Sequence, residues 1–250
     1  MPFSKLHAAA HQIESADFDR KHPERYSLET WLTPTEAHAD ILRQIRTGLT
    51  GFRPWWLVCG GPGAGKTRAV HGMAMAKIIQ HADANDGWNP VDAPVPGREW
   101  DWTPFRQYGR NGQDPYRPLR AVGTTLFGLM QEIAAAPRDW PAVRKKYMAP
   151  ILLLDEVREI RMGTVAAASL DELLNLRYKH KLFTVFVSNL LQADVWTVLG
   201  ERVESRFREL GNGNYVGMKG IGDWRAKLIP DDPVAPAAGQ PIVRRDANAR

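Results

Sequence analysis

The sequence predicts an α/β fold in which a parallel sheet is covered by helices on both faces. Short apolar runs that end in glycine or polar residues are typical of buried strands, and they occur at 55–59, 151–154 and 183–187. Helix-like segments lie among them, at about 65–81, 125–136 and 164–180. Strands that alternate with helices form parallel sheets with a helical layer on each side. We therefore expect three layers.

Composition restricts the class of protein. The 250 residues are 44% hydrophobic and 24% charged, which is typical of a globular protein of one or two domains. No run approaches the roughly 18 apolar residues that span a bilayer. The first residues lack a basic region followed by an apolar block, so we expect no secretory signal and a cytoplasmic location. A single cysteine, Cys59, excludes a disulfide scaffold and a cysteine-based zinc module.

The chain divides into three regions by composition. Residues 1–50 are expected to be a short helical N-terminal region, a candidate for docking a partner, in which Thr35 and Glu36 mark a helix start. Residues 51–229 form the core, interrupted at 82–120 by an insertion with six prolines and six aromatic residues. Residues 230–250 are rich in proline and alanine without periodicity, which predicts a disordered tail.

A glycine-rich loop between a predicted strand and a predicted helix carries the strongest chemical signal. It fits the pattern G-x-x-x-x-G-K-[ST], a phosphate-binding loop, with the residues Gly60, Gly61, Pro62, Gly63, Ala64, Gly65, Lys66 and Thr67. The glycines let backbone N–H groups surround phosphate oxygens at a helix N-terminus. Lys66 is expected to reach the outer phosphates and Thr67 to bind Mg²⁺. A tight turn that only happens to be rich in glycine is the alternative.

Two acids follow the apolar run at 151–154. A buried strand would deliver Asp155 to the carboxyl edge of the sheet, where its carboxylate can hold Mg²⁺ through water. Glu156 can then polarise an attacking water, which predicts hydrolysis rather than binding alone. Acids that simply end a core strand in solvent are the alternative.

Further candidates lie downstream. Asn189 follows the third apolar run, where a carboxamide can hold the attacking water or the γ-phosphate, or serve only as a cap. Arg202 and Arg206 are four residues apart and share a helix face. An arginine presented to a neighbouring subunit's nucleotide would make catalysis depend on an oligomer. A solvated basic helix is the alternative.

The order of these parts resembles the AAA+ ATPases of the bacterial and phage helicase-loader (DnaC/DnaI-like) and IstB branch, over roughly residues 50–227. The loop at 60–67 matches the Walker A motif, and Asp155 and Glu156 match Walker B. The run at 174–190 resembles that branch's "RY-x-x-x … SN-L" run, which makes Asn189 the sensor-1 residue. The segment at 202–207 resembles its arginine-finger box, with Arg206 the better candidate.

The closing segment at 222–225 is similar to the same branch's last basic motif, which would bring Arg225 near the nucleotide. Two features depart from the branch. The insertion at 82–120 is longer and richer in tryptophan and proline, and the N-terminal region has neither a zinc module nor a helix-turn-helix. In the insertion, arginines interleave with aromatic residues, which suits single-stranded DNA or, as we favour, an aromatic cluster packed on the core.

The resemblance implies a three-layer P-loop NTPase that binds ATP and Mg²⁺, hydrolyses ATP and forms a nucleotide-dependent homo-oligomer. Its implied role is to load a replicative hexameric helicase onto single-stranded DNA. A net charge of +5 with an isoelectric point near 9.4 permits a DNA partner. The alternatives are an IstB-like transposition helper that binds duplex DNA and a transposase, a stand-alone P-loop kinase, and a protein that binds nucleotide without hydrolysing it.

Overall fold

The computed structural model describes residues 3–29, 35–51, 53–84, 119–135, 137–160, 163–211, 214–218 and 221. The strands in these ranges are β1 (Ile13–Glu14), β2 (Trp55–Gly60), β3 (Ala121–Thr125), β4 (Ile151–Asp155), β5 (Phe183–Ser188) and β6 (Tyr215–Met218). The helices are α1 (Phe3–His11), α2 (Glu36–Thr50), α3 (Lys66–Ala84), α4 (Leu126–Ala135), α5 (Trp140–Tyr147), α6 (Thr164–Lys179), α7 (Gln192–Leu199) and α8 (Glu201–Gly211). Short 3-10 turns lie at Pro23–Tyr26 and Pro137–Asp139.

The strands form one parallel sheet in the order β1-β3-β4-β5-β2-β6. The phosphate-loop strand β2 is therefore not next to the acidic strand β4, because β5 lies between them. At the carboxyl edge, Cys59 is in register with Ser188 and Thr125 with Asp155. This topology brings the ends of four strands, and the residues that follow them, to one edge of the sheet.

Successive side chains of the buried strands lie alternately in two separate apolar cores, one on each face of the sheet. Trp56 and Val58 point to the face that packs with α1, α2 and α3. Trp55, Leu57 and Cys59 point to the opposite face, which packs with the later helices. Burial of long apolar side chains on both faces is the main stabilising contribution in a sheet of this kind. The expected three-layer α/β architecture is confirmed.

The N-terminal region contains the expected helices and one strand that the sequence pattern did not indicate. Strand β1 has only two residues and pairs in parallel with β3 at the edge of the sheet, where Ile13 is fully buried. The alanines Ala8, Ala9 and Ala10 of α1 are also fully buried. Helix α1 and strand β1 therefore contribute buried side chains to the core, whereas a docking role for 1–50 stays a prediction.

Several sequence expectations fall outside the described residues. These are most of the insertion, at 85–118, the motif at 222–225 with Arg225, and the predicted tail at 230–250. At the insertion's borders, α3 continues to Ala84 and the chain is described again from Leu119. In the described part of the chain, no helix is both long enough and apolar enough to cross a membrane.

Candidate nucleotide-binding site

The phosphate loop joins β2 to α3 in a conformation that depends on glycine. Gly63 has φ of 73° and Gly65 has φ of 86°, which lie in the left-handed region that residues with a Cβ rarely adopt. Helix α3 begins at Lys66, immediately after the second of these turns. The first N–H groups of a helix have no partners within it, and the helix dipole favours an anion there. The loop can therefore hold an anionic group.

Lys66 lies within this loop. Its Nζ donates hydrogen bonds to Gly60 O at 2.9 Å and to Gly61 O at 2.7 Å, and its side chain is largely buried. Both acceptors are loop carbonyls, whose partial charges are weaker than those of a phosphate oxygen. An ammonium group held in this way can also bind an anion at the loop.

Thr67 and Asp155 meet beside the loop, although 88 residues separate them in sequence. Thr67 Oγ1 donates to Asp155 Oδ2 at 3.3 Å, and the backbone N–H of Glu156 donates to Asp155 Oδ1 at 2.6 Å. Burial raises the pKa of Asp155, and the charges of Asp17 and Glu156 add to that effect, whereas the two hydrogen bonds oppose it. A cation at this carboxylate would offset the cost of keeping it ionised.

Glu156 turns away from the strand with φ of 49°, a left-handed conformation that costs a non-glycine residue about 1 kcal/mol or more. The N–H of the next residue, Val157, donates to Val187 O at 2.8 Å, which ties the segment after β4 to β5. The Glu156 side chain is exposed, with its carboxylate 4.0 Å from Arg158. The turn thus places Glu156 beyond the strand end, where solvent can reach it.

Asn189 follows β5 on a turn that Ser188 fixes. Ser188 Oγ donates to Val157 O at 2.5 Å and accepts from the N–H of Leu190 at 3.0 Å. Because the buried serine makes both of these contacts, the exposed Asn189 is held at the carboxyl edge of the sheet, between the ends of β4 and β2. Its amide is positioned to contact a group bound there.

One cavity of about 370 Å³ joins these parts. It is lined by Asp17, Pro62, Gly63, Gly65, Lys66, Thr67, Arg68, Thr125, Asp155, Glu156 and Asn189. The structure therefore brings together the phosphate loop, both acids and Asn189, as the sequence predicts. Gly60, Gly61 and Ala64 belong to the same loop without lining this cavity.

Three lining residues were missed by sequence reasoning. Thr125 ends β3 and is in register with Asp155. Arg68 directly follows the loop motif, and that position was the one available signal for it. Asp17 comes from the segment after β1, and no local pattern links it to a loop that begins more than forty residues later.

The lining residues fit a nucleoside triphosphate with Mg²⁺. Arg68 Nε is buried and has no hydrogen-bond partner in the described part of the protein, and burial lowers the pKa of this guanidinium. An anionic group in the cavity would supply a hydrogen-bond acceptor and a counter-charge for Arg68. A hydroxyl and a carboxylate, from Thr67 and Asp155, are the oxygen ligands that Mg²⁺ prefers. The cationic and N–H donors therefore suit the phosphates, and the oxygen atoms of Thr67 and Asp155 suit the Mg²⁺.

Arg202 and Arg206 of α8 do not line this cavity. Both approach one acid of α6, since Arg202 Nη1 lies 2.7 Å from Asp171 Oδ2 and Arg206 Nη1 lies 3.8 Å from Asp171 Oδ1. The Arg202 side chain is 66% exposed, whereas that of Arg206 is 15% exposed and lies over the ring of Tyr178. Arg202 is thus open to a neighbouring molecule, and Arg206 would have to leave its packing to reach one.

Solved structures with the same architecture include helicase loaders and replication initiators. The DnaC helicase loader matches with a TM-score of 0.51 and 18% identity, over 78% of this chain and 98% of that chain. DnaI matches with a TM-score of 0.53 and 16% identity, over 85% and 97%. The chain has the three-layer α/β fold of these structures. A DnaA bound to AMPPCP and single-stranded DNA matches this chain with a TM-score of 0.51 and 15% identity, over 77% of this chain and 49% of that one.

The likeness is one of fold alone, because every identity quoted is below 20%. No protein-family model matches the sequence, and no curated protein matches it either.

Proposed function

We propose that this AAA+ protein binds ATP with Mg²⁺ and hydrolyses ATP. The observation that carries the proposal is the single cavity in which the phosphate loop, Asp155, Glu156 and Asn189 converge. The loop N–H groups and Lys66 bind the phosphates, and Thr67 and Asp155 hold the metal. Mg²⁺, when bound, neutralises charge on the phosphates.

The exposed acid and the amide supply the remaining chemistry. Glu156 orients the attacking water and accepts its proton, because its side chain stands beyond the strand end at the cavity wall. Asn189 donates a hydrogen bond to the water or to the γ-phosphate. We assign Arg225, by resemblance, to the nucleotide as well.

We further propose that activity depends on a homo-oligomer. Neither Arg202 nor Arg206 lines the cavity of its own subunit, so this pair is suited to act on the nucleotide of a neighbour. An arginine supplied in this way can raise the rate by about 10³ to 10⁵. Since nucleotide would contact two subunits, its presence would control assembly.

The biological role that these features favour is in DNA replication, as a helicase loader that acts on a replicative hexameric helicase and single-stranded DNA. Support comes from the helicase-loader folds and from a DnaA of the same fold that is bound to single-stranded DNA. The net positive charge is compatible with DNA. An IstB-like helper of transposition and a P-loop kinase remain the competing functions.

Hydrolysis is tested by Glu156→Gln, with Glu159→Gln as the matched control. Glu159 is an exposed acid of the same segment that does not line the cavity. We expect Glu156→Gln to lower kcat about 100-fold or more and to leave ATP affinity within a few-fold, because general-base loss removes the chemical step. The control should behave as wild type. An unchanged rate in Glu156→Gln would support nucleotide binding without catalysis.

Assembly is tested by mixing two inactive variants. Lys66→Ala should abolish ATP binding. Arg202→Ala or Arg206→Ala should lower the rate of ATP hydrolysis and leave ATP binding intact. A mixed oligomer can pair an intact phosphate loop with an intact arginine, so mixing should restore part of the activity. Recovery with only one arginine variant would identify the arginine that acts in trans. No recovery with either one contradicts this arrangement.

The partner is tested by affinity capture at saturating non-hydrolysed ATP analogue, with Lys66→Ala as the control. Recovery of the replicative helicase, lost in Lys66→Ala, together with a preference for single-stranded DNA, is the expected result. Recovery of a transposase and a preference for duplex DNA would instead support the IstB-like function. Transfer of phosphate to a small molecule rather than to water would indicate a kinase.

A further inference from the structure

The segment after β1 forms one wall of the nucleotide cavity. It continues alongside β3, where Ser15 lies against Gly123 so closely that a Cβ on the glycine would come within 2.6 Å of Ser15 Oγ. Asp17 follows at the cavity itself. The glycine therefore permits an approach that brings an N-terminal residue to the site.

A buried histidine ties this segment to the phosphate-loop helix. His71 Nδ1 lies 2.8 Å from Thr67 O, and His71 Nε2 lies 3.1 Å from Ser15 Oγ. Because a carbonyl can only accept, Nδ1 donates to Thr67 O, and Nε2 shares a hydrogen bond with the serine hydroxyl. The backbone of Thr67 is thus connected to Ser15 through one rigid side chain.

Aromatic packing holds the turn that carries Asp17. The ring of His71 lies 5.1 Å from that of Phe18 and 5.5 Å from that of Tyr26, measured between centroids. Tyr26 Oη accepts from the N–H of Asp19 at 3.1 Å and donates to Asp17 O at 3.3 Å. The backbone of Asp17 is therefore fixed, and Asp17 lines the same cavity as Thr67 and Asp155, with its charge contributing to the raised pKa of Asp155.

We propose that Asp17 is a positioning residue of the metal site, whose carboxylate accepts hydrogen bonds from the water shell of the Mg²⁺ held at Thr67 and Asp155. The inference rests on the proposed function. Thr67 and Asp155 contact each other, whereas Asp17 shares only the cavity with them, so we assign Asp17 to the water shell of the ion rather than to its direct ligands. Mg²⁺ keeps several waters in sites of this kind, and carboxylates that orient such waters tune affinity.

A consequence concerns the N-terminal region. Asp17 lies three residues after β1, and Ser15 contacts the helix that starts at the phosphate loop. Binding of Mg²⁺ with nucleotide would therefore stabilise residues 13–19 against local opening, whereas nucleotide alone would do so less. The region before the ATPase core would in this way respond to the metal-bound nucleotide.

The test is a Mn²⁺ titration of the full chain with a non-hydrolysed ATP analogue, in which free Mn²⁺ is measured by electron paramagnetic resonance. Asp17→Asn should weaken Mn²⁺ binding about tenfold or more and leave binding of the analogue without metal unchanged. Asp19→Asn is the matched control, because Asp19 is close in sequence but does not line this cavity. Mn²⁺ affinity within twofold of wild type in Asp17→Asn, or an equal loss in Asp19→Asn, would overturn the inference.

Amide hydrogen exchange gives an independent readout. In wild type, Mn²⁺ with the analogue should slow exchange at 13–19 more than the analogue alone, and Asp17→Asn should abolish that difference. A merely structural role for Asp17 would change exchange equally with and without metal. If the wild type binds no nucleotide, the proposed function itself fails. If it binds metal and nucleotide but Asp17→Asn does so equally, only the present inference fails.

Discussion

Two buried cations at opposite edges of the sheet make different use of their charge. At the amino edge, the fully buried Arg177 donates to Thr184 Oγ1 and to three carbonyls, of Tyr147, Ala149 and Phe183, at 2.6 to 3.0 Å. At the carboxyl edge, Lys66 donates to two loop carbonyls on the wall of a cavity. The arginine is enclosed by protein, whereas the lysine stands next to a space for a ligand.

The difference shows how a cation hydrogen-bonded to carbonyls can stabilise the fold at one edge of the sheet and form part of a binding site at the other. Burial lowers the pKa of Arg177 to about 9, so the guanidinium remains charged at neutral pH, and it is hydrogen-bonded by carbonyls at the end of α5, just before β4 and at the start of β5. Such a contact fixes the ends of neighbouring strands. Around Lys66, by contrast, the acceptors are two loop carbonyls, and an anion bound in the cavity can add a third acceptor.

The largest effect on stability should come from Arg177→Met. The change would leave four buried acceptors without their donor, which we expect to cost about 3 to 5 kcal/mol of the free energy of unfolding. Urea unfolding at neutral pH measures it. The exposed Arg208→Met should change stability by less than about 1 kcal/mol. A loss in Arg177→Met as small as that of Arg208→Met would contradict the structural role.

A second prediction concerns pH and the carboxyl edge. Burial lowers the pKa of His71 from 6.5 to about 4, so between these values the unfolded chain binds more protons than the folded one. Stability should therefore fall as pH decreases through this window, by about 3 kcal/mol in all. His71→Gln should flatten the pH dependence in urea unfolding at several pH values. The exposed His180→Gln should leave it as in wild type, and an unchanged slope in His71→Gln would refute the buried neutral ring.

The smallest effect on stability is expected for Lys66→Ala. Its two acceptors lie beside a cavity that water can enter, so the free energy of unfolding without nucleotide should change by less than about 1 kcal/mol. Added ATP analogue should stabilise the wild type in thermal unfolding and fail to stabilise the variant. A loss comparable to that of Arg177→Met would show that the lysine is structural too, and would remove the contrast between the edges.

The sequence predicted those elements whose residues are consistently apolar. Strands β2, β4 and β5 carry long apolar runs because both of their faces are buried. Strand β3 was missed, since Gly123 is required by the close approach of Ser15 and the threonines that follow are polar. Strand β1 was missed because two residues are too few to show a period.

The same distinction applies to the site. The phosphate loop is one contiguous motif, and the acids at 155 and 156 are adjacent to each other at the end of an apolar run. The chemistry of each motif could therefore be inferred from the sequence before the geometry was known. Asp17 reaches the cavity only because β1 pairs with β3, a contact between segments about 110 residues apart that no local pattern encodes. The burial of Arg206 likewise depends on Tyr178 from another helix.

The carboxylate of Asp171 approaches two arginines of α8, at 2.7 Å from Arg202 and 3.8 Å from Arg206. Substitution of one arginine leaves this acid wholly to the other, so the two single substitutions will not add up to the double one. A scan that replaces each arginine separately would therefore understate the weaker contributor. A triple-mutant cycle of Asp171, Arg202 and Arg206 would divide the effect among the three side chains.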